Sequence, residues 1–251
     1  MTEDSLQQPA TAVQVTRLLQ ALREGELGGD VGLMRWSSNF TFLTSLQHEE
    51  LAFMVIYKPR SGERPLWDFP DGTLCLREVA AWETAHALGW DIVPPTVLRE
   101  GAHGLGSVQY FIDHDPEQTY FTFPSETRAQ LKRLSLFDHI INNADRKGGH
   151  CLLDARGRLW GIDHGIAFNA EHRLRTVIWD FAGDEIPATL LADMDALASR
   201  LGDRKSPVSQ RLASLLDDYE LAALRRRIAR LLEQGRWPRP GHGPNVPWPP
   251  V

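Results

Sequence analysis

The spacing of apolar residues first predicts a helix and a hairpin. In TAVQVTRLLQALREGEL (11–27), apolar residues recur at helical intervals, which predicts an amphipathic helix. Two β-like stretches follow at 34–47 and 50–59, with the polar turn QHEE between them. The second stretch, ELAFMVIYKP, is almost continuously apolar, as is typical of a buried strand.

A second helix and hairpin complete the first half of the chain. The segment 60–74 has the Gly, Pro and Asp content of a loop. LREVAAWETAHALG (76–89) sorts its apolar residues onto helix faces and ends at a glycine, which favours a helix that stops there. The stretches 91–100 and 107–113 then read as strands joined by the glycine-rich turn GAHGLG.

The second half is mainly helical. Apolar residues with a period of 3.6 predict helices at 125–144, 188–202 and 206–235. Two short strands, CLLD and LWGID, are expected after the first of these helices. The proline-rich end predicts an extended or disordered tail. We therefore expect one α+β domain over residues 1–251, with a β-rich N-lobe (10–112), an α-helical C-lobe (113–235) and a tail (236–251).

Composition and charge narrow the classes of partner. Hydrophobic residues make up 42% and charged residues 24% of the chain, an ordinary balance for a globular protein. The net charge of −6 argues against a nucleic-acid partner. Cys75 and Cys151 lie in apolar contexts and are expected to be buried thiols. The longest apolar run, LAFMVIY, is too short to span a bilayer, so we expect a cytoplasmic protein without stable membrane insertion.

The stretch ADRKGGH (144–150) carries the strongest chemical signal. Asp145 directly follows a predicted helix, and two glycines allow a ligand to approach the backbone closely. The short hairpin that follows would bring Asp163 back beside this loop. Two carboxylates and the imidazole of His150 would then crowd one place, which a divalent cation with phosphate explains better than packing does. The alternative is a solvated turn at the end of a helix.

Lys58 and Glu78 are the candidates for a phosphate contact. Lys58 ends the apolar strand, where an ammonium aimed into a cleft would neutralise phosphate charge; a solvated strand-end lysine is the alternative. Glu78, on the helix after the loop, could hold that lysine by an ion pair, as in phosphotransferases. Glu83 is a second candidate for the same role, and either carboxylate could simply be solvated.

These residues together resemble a known superfamily. DRKGGH followed by GIDHG (161–165) resembles the D-x4-N plus I-D pair of the phosphatidylinositol 3-/4-kinase-like superfamily and of the related HipA-type kinases. YKP is similar to their ATP-binding lysine strand, and REVAAWETAHALGWDIVPPT (77–96) to their helix and following strand. The resemblance runs from about residue 35 to about residue 187. It implies a two-lobed protein-kinase-like fold with a nucleotide cleft between the lobes, in a bacterial branch rather than a true lipid kinase.

The resemblance also implies roles for individual residues in binding ATP. Ser37 and Ser38, in the turn of the first hairpin, would lie in a loop that covers the phosphates. Lys58 would contact the α-phosphate, with Glu78 as its partner. The strand VQYFID would connect the lobes, and the adenine edge would hydrogen-bond the backbone there, at Tyr110, Phe111 and Ile112.

The remaining implied roles concern phosphoryl transfer. Asp145 would be the catalytic aspartate that orients the acceptor hydroxyl, and Asp163 would bind the metal. Arg146 and Lys147 could stabilise the transferring phosphate, or could be solvated. The implied cofactors are ATP with Mg²⁺ or Mn²⁺. The acceptor is a hydroxyl group of a protein or of a small molecule.

One position departs from the pattern of the superfamily. His150 stands where these kinases have a metal-binding Asn. Magnesium prefers hard oxygen ligands, whereas imidazole suits manganese and other transition metals better. We therefore expect His150 to bind metal together with Asp163, with manganese favoured. The alternative is that the site has lost one ligand.

Several other interpretations stay open. A pseudokinase that binds nucleotide as a scaffold and an adenylyl transferase on the same fold are alternatives to phosphotransfer. LRRRIARLLEQGRW (224–237) is only a modest candidate for lipid-surface binding and is typical of a closing helix. His164 could line the site or make a structural hydrogen bond. Trp179 and Asp180 could contact the acceptor, or Trp179 could belong to the core.

Overall fold

The computed structural model describes residues 12–33 and 39–251 of the chain. The chain divides into two compact units. The first, the sheet unit, contains the described residues up to Pro65 together with Pro95–Phe111; the second, the helical unit, contains Leu66–Pro94 and Ile112–Val251. Residues 66–94 thus group with the helical unit, whereas the predicted N-lobe included them. The division into functional lobes stays a prediction.

The sheet unit is one helix with a five-stranded antiparallel sheet in the order β1-β2-β3-β5-β4. Its elements are α1 (Ala12–Glu24), β1 (Glu26–Leu33), β2 (Phe42–His48), β3 (Leu51–Pro59), β4 (Thr96–Gly101) and β5 (Gly104–Tyr110). The predicted helix and both hairpins are confirmed. Strand β1 was not predicted, because its sequence ELGGDVGL is rich in glycine and poor in β-forming residues.

The two faces of this sheet differ in character. One face packs its apolar side chains against α1, and this core contains Ala21, Leu22, Leu46, Val55, Tyr57, Val97 and Val108. Side chains alternate along a strand, so Lys58, next to Tyr57 on β3, projects from the opposite face. Its cross-strand neighbour there is the buried Ser107, and the buried Gln109 donates a hydrogen bond to Thr96 (2.8 Å) nearby. Lys58 therefore lies on the more polar face.

The helical unit holds five helices and a short hairpin. Its elements are α2 (Leu74–Ala87), α3 (Arg128–Ile141), β6 (Cys151–Leu153), β7 (Leu159–Gly161), α4 (Ala188–Gly202), α5 (Pro207–Ala213) and α6 (Asp218–Gln234). The last predicted helix is divided into α5 and α6. Asp217 causes the break, because its side chain accepts a hydrogen bond from the Glu220 amide (2.8 Å) while Glu220 accepts one from the Asp217 amide (3.1 Å). This reciprocal capping box starts a new helix.

A buried ion pair joins the first and last helices of this unit. Arg77 on α2 is 2% exposed and binds the carboxylate of Glu220. Its Nε donates to the carbonyl of Ala167 (3.1 Å), and its Nη1 donates to the carbonyl of Thr73 (3.0 Å). Removing either charge would leave the other buried and unpaired, so the pair fixes where α6 lies against α2.

The remaining structural expectations have clear outcomes. Cys75 and Cys151 are free and buried, as predicted. The tail begins with a packed segment, since Trp237 is 2% exposed and its ring lies 5.6 Å from that of Phe181. In the parts of the chain described above, no helix combines the length and apolarity that crossing a bilayer requires. The α+β fold class is confirmed.

The buried histidine of α3 gives a prediction about acid stability. Burial, with a smaller effect from His172, lowers the pKa of His139 to about 4. In the unfolded chain a histidine pKa is about 6.5. Between about pH 6.5 and pH 4, the unfolded form therefore binds a proton at His139 and the native form does not. Stability is therefore unaffected above pH 6.5, and the native state loses about 3 kcal/mol from this group between pH 7 and pH 4.

Chemical denaturation of His139→Gln at the two pH values measures this contribution. The difference between the two unfolding free energies should shrink by about 3 kcal/mol in the variant. His242→Gln, at an exposed histidine of the tail, is the control and should keep the wild-type difference. An unchanged pH dependence in His139→Gln would contradict the prediction.

Candidate active site

The end of helix α3 sets the course of the loop that carries Asp145. Asn142 adopts the left-handed conformation (φ 55°), and its amide donates to the carbonyl of Asp138, so the helix stops and the chain turns sharply. The Asp145 amide donates to the side-chain oxygen of Asn143 (3.0 Å). The Ala144 amide donates to the carbonyl of Ile166 (2.9 Å), which ties the loop to the segment after β7. Asp145 is thereby held at a defined place beside residues 162–166.

The β6–β7 hairpin brings His150 and Asp163 together. The 3₁₀ turn Gly148–His150 leads into β6, and the amide of Ile162 donates to the carbonyl of His150 (3.0 Å) at the open end of the hairpin. As a result, Nε2 of His150 lies 3.3 Å from Oδ2 of Asp163. The expected return of Asp163 to this loop is confirmed, while the metal-binding role of the pair stays a prediction.

The hydrogen bonds of His150 fix its tautomer. Its Nδ1 lies 2.9 Å from the carbonyl oxygen of Asp145, and because a carbonyl only accepts, Nδ1 carries the proton. Burial lowers the pKa of His150; Asp163 acts against this, and Arg146 acts with it. In the neutral ring the lone pair of Nε2 faces a carboxylate oxygen. A cation between or beside these two acceptors would relieve their repulsion, as would a proton on Nε2.

The carboxylate of Asp145 has a lysine as its ion-pair partner. Nζ of Lys147 lies 3.3 Å from Oδ2 of Asp145, and both side chains are partly buried. Burial raises the pKa of Asp145, an effect that Lys147 and His150 oppose and Asp163 reinforces. The group is thus a somewhat stronger base than an exposed aspartate, with a cation beside it.

Arg146 is the structural centre of the site. It is 0% exposed, and its Nε and Nη2 donate to the carboxylate of the equally buried Asp138 (3.0–3.1 Å). Its Nη1 donates to the carbonyls of His150 (3.1 Å) and Ile162 (2.8 Å). Both proposals for this side chain, a contact to the transferring phosphate and a solvated guanidinium, are wrong because Arg146 lies in the core. It holds the two backbone segments that present the candidate metal ligands.

Asp163 adopts a backbone conformation that only its neighbours can stabilise. Its φ of 58° is in the left-handed region, which is unfavourable for a residue with a side chain. The next amide, that of His164, donates to Oε2 of Glu78 (3.0 Å), and Glu78 is 2% exposed. The His164 ring is fully buried, with Nε2 2.7 Å from Nη2 of Arg146. Of the two alternatives for His164, the structure has the structural hydrogen bond.

The two carboxylates proposed as partners of Lys58 have different positions. Glu78 contacts the backbone after Asp163, within the helical unit. Glu83 instead binds Arg211 on α5, with Oε1 2.8 Å from Nε. Lys58 belongs to the sheet unit, so its pairing with Glu78 stays a prediction. No sequence signal indicated that Glu78 would contact the segment carrying Asp163.

The remaining candidates for nucleotide binding lie mostly in the sheet unit. Ser37 and Ser38 fall outside the described residues. The amide of Tyr110 donates to the carbonyl of Pro95 (2.9 Å), and that of Phe111 donates to the carbonyl of Met54 (3.1 Å). The Ile112 carbonyl, in the helical unit, lies 2.9 Å from Nδ1 of His114. Contacts of these backbone groups with adenine stay a prediction.

The sequence matches a known protein family. The model of phosphatidylinositol 3- and 4-kinase matches residues 4–206. The chain belongs to this family. A relative, protein Rv2133c of Mycobacterium tuberculosis, is 39% identical over 264 aligned positions, which cover 91% of this chain and 93% of that protein. The predicted membership of the superfamily is confirmed.

A solved structure shows the same fold. The Helicobacter pylori proinflammatory kinase CtkA superposes with a TM-score of 0.52 at 12% sequence identity, over 86% of this chain and 94% of that one. The likeness shows that the protein has the kinase fold that the resemblance implied. The fold and the family together make the loop around Asp145 the candidate active site.

The buried pair Arg146–Asp138 gives a prediction about stability. Arg146→Met keeps much of the side-chain volume but leaves the Asp138 carboxylate buried without its ion-pair partner. We expect the variant to lose about 3–5 kcal/mol of unfolding free energy. Arg156→Met, at an exposed arginine of the β6–β7 turn, is the matched control and should change stability by less than about 0.5 kcal/mol. Urea denaturation measures both, and equal midpoints would contradict the prediction.

Proposed function

We propose that the protein is an ATP-dependent phosphotransferase that moves the γ-phosphate to a hydroxyl group of a protein or small molecule. The observation that carries the proposal is the pair of His150 Nε2 and Asp163 Oδ2 at 3.3 Å. By the resemblance, these residues would stand at the metal-ligand positions of the family pattern, and the ring of His150 bonds to the backbone of Asp145. Membership of the family and the kinase fold support the same activity.

The residues of the pair fit a divalent cation. Within residues 12–33 and 39–251, no cluster of three or more His, Cys, Asp or Glu side chains could hold a metal ion. The protein would therefore supply His150 and Asp163, and ATP would supply phosphate oxygens, as is common where metal and nucleotide bind together. A bound Mg²⁺ or Mn²⁺ would neutralise charge on the phosphates. The fixed tautomer of His150, with Nε2 as the lone-pair donor, favours Mn²⁺.

Asp145 would act on the acceptor. Its carboxylate would orient the attacking hydroxyl and take its proton as the new O–P bond forms and the bond to the leaving ADP breaks. Partial burial raises the pKa of Asp145, which makes it a better base. Lys147, 3.3 Å away, would keep the carboxylate oriented in the free enzyme.

The remaining roles concern how ATP is held. Lys58, on the polar face of the sheet, would neutralise the α-phosphate, with Glu78 as its ion-pair partner. Ser37 and Ser38 would cover the phosphates. The backbone from Tyr110 to Ile112 would hydrogen-bond adenine and join the lobes of one kinase-like domain. A cytoplasmic location would give such an enzyme access to ATP.

A pseudokinase is the second candidate, and His150 is the observation that favours it. An imidazole in place of the family's Asn changes one metal ligand, so nucleotide could bind without productive transfer. Such a protein would be stabilised by ATP and would transfer no phosphate.

Labelled ATP tests the phosphotransferase. The wild-type protein with γ-labelled ATP and Mn²⁺ should label itself or an added acceptor, and Asp145→Asn should lower kcat by about 100-fold or more. ATP should still raise the Tm of this variant, since Asp145 is not proposed to hold the nucleotide. Asp195→Asn, at an exposed carboxylate of α4, is the matched control and should keep full activity.

The other outcomes of this experiment separate the alternatives. Stabilisation by ATP with no transfer in the wild type would favour the pseudokinase. Incorporation of label from α-labelled ATP would identify adenylyl transfer.

The metal preference gives a separate prediction for His150. The wild-type protein with a nonhydrolysable ATP analogue should bind Mn²⁺ about tenfold more tightly than Mg²⁺, because imidazole is a poor ligand for magnesium. His150→Asn should reduce this preference to near equality. Calorimetric titration of each metal measures it. Equal affinities for both metals in the wild type, unchanged in the variant, would refute the role of His150.

A further inference from the structure

The C-terminal end of the chain lies on the loop of the candidate active site. We call residues Gly241–Pro250 the strap. The carbonyl of Pro250 accepts a hydrogen bond from the amide of Gly148 (2.7 Å). The carbonyl of Asn245 accepts two, from the amide of Thr176 (3.0 Å) and from Nε1 of Trp179 (3.0 Å). A segment about 65 to 100 residues away in sequence thus supplies acceptors to the loop and to the strand-like segment beside it.

A side chain at Gly148 would meet the neighbouring ring of Phe121. A Cβ atom built on Gly148 would lie 2.6 Å from the ring of Phe121 and 3.5 Å from the carbonyl oxygen of Pro250. The loop therefore passes between an aromatic ring and the strap, and a side chain at Gly148 would require the Phe121 ring to move, whereas its distance to the Pro250 oxygen would be an ordinary contact. The second glycine of the pair differs, because a Cβ on Gly149 would meet nothing within 4 Å.

Two hydrogen bonds link the turn at Gly148 to the proposed metal ligand His150. Gly148 begins the 3₁₀ turn Gly148–His150, which is closed by a hydrogen bond from the His150 amide to the Lys147 carbonyl (3.2 Å). The ring of His150 bonds in turn to the carbonyl of Asp145 (2.9 Å). Holding the Gly148 amide therefore restrains the turn that presents the imidazole.

The contact at Thr176 reaches the same loop from the other side. Arg146 and Thr176 form a parallel bridge, in which the Arg146 amide donates to Arg175 (3.0 Å) and the Val177 amide donates to Arg146 (3.1 Å). Oγ1 of Thr176 also donates to the carboxylate of Asp138 (3.2 Å). The Asn245 carbonyl thus anchors the segment that is paired with Arg146.

We propose that the strap is a positioning element of the active site, which holds the catalytic loop in the shape that the proposed phosphotransfer needs. The Pro250 carbonyl restrains the turn leading to His150, and the Asn245 carbonyl restrains the segment beside Arg146. The strap is itself kept in shape by the side chain of Asn245, whose Nδ2 donates to the carbonyls of Gly241 (2.7 Å) and Gly243 (3.0 Å). The role of the strap in catalysis rests on the proposed function, whereas its restraint of the loop by hydrogen bonds does not.

The variant Asn245→Ala in the full-length protein tests the grip. It removes the two side-chain bonds that shape the strap and replaces no residue proposed for catalysis or for binding ATP. Amide hydrogen exchange at Gly148 and Thr176 should become about tenfold faster, while amides inside α6 should exchange as in the wild type. Val246→Ala, at the exposed neighbouring residue (46% exposed), is the matched control and should leave exchange unchanged. Unchanged exchange at both amides in Asn245→Ala would overturn the proposal.

The kinetics of the same variants test the catalytic consequence. Asn245→Ala should lower kcat about tenfold and, at saturating Mn²⁺, change the KM for ATP by less than about twofold, because Gly148, Thr176 and Trp179, the donors to the strap described above, are not proposed to hold ATP. Trp179→Phe, which removes one donor to Asn245, should lower kcat in the same direction by less. An unchanged kcat with faster exchange at Gly148 would show that the strap covers the loop without positioning it.

The strap and the phosphotransferase can fail separately. If the wild-type protein transfers no phosphate, the proposed function fails, and Mn²⁺ affinity then replaces kcat as the readout. Asn245→Ala should weaken Mn²⁺ binding in the presence of a nonhydrolysable ATP analogue, because His150 is less well held. An unchanged affinity in that case would refute the positioning role.

Discussion

The site depends on one buried ion pair. Arg146 and Asp138 are both 0% exposed, so each would be costly to bury alone. Burial alone would lower the pKa of Arg146, but the Asp138 carboxylate, with smaller contributions from Cys151 and Asp163, raises it, so the guanidinium stays charged. Its other N–H groups are used on the carbonyls of His150 and Ile162 and on the ring of His164. The rigid guanidinium of Arg146 binds the carbonyls of His150 and Ile162 at the same time. It thereby fixes the distance between the two candidate metal ligands, His150 and Asp163.

Strain and charge are balanced around that pair. Asp163 is held in an unfavourable left-handed conformation, and the carboxylate of Glu78 receives the amide that follows it. A hydrogen bond to a charged acceptor is worth about 1.5–3 kcal/mol, enough to offset strain of about 1–3 kcal/mol. Glu78 thus has a structural contact at the segment where the family would place the metal ligand, as well as its proposed pairing with Lys58.

The ends of several elements, rather than their middles, carry the chemistry. Asp145 follows the end of α3, His150 precedes β6, and Asp163 follows β7. Regular elements with buried apolar faces fix where these ends lie, while the polar groups at the ends remain available to a ligand. The strap adds a restraint from outside this hairpin, so the loop is held by backbone acceptors from the distant C-terminal end as well as by Arg146.

The sequence determined what is local. Periodicity located most helices and hairpins, and the ordered spacing of DRKGGH and GIDHG indicated the family and the meeting of His150 with Asp163, because a short hairpin has few ways to return. The capping box that begins at Asp217 is a further local signal, which the prediction of one helix over 206–235 missed. Tertiary structure alone decided the rest: that glycine-rich β1 would pair with β2, that Arg146 would be buried although it stands in a charged run, and that Glu83 would bind Arg211. The physical reason is that burial and hydrogen-bond partners depend on residues far away in the chain, as the bond between Gly148 and Pro250 shows.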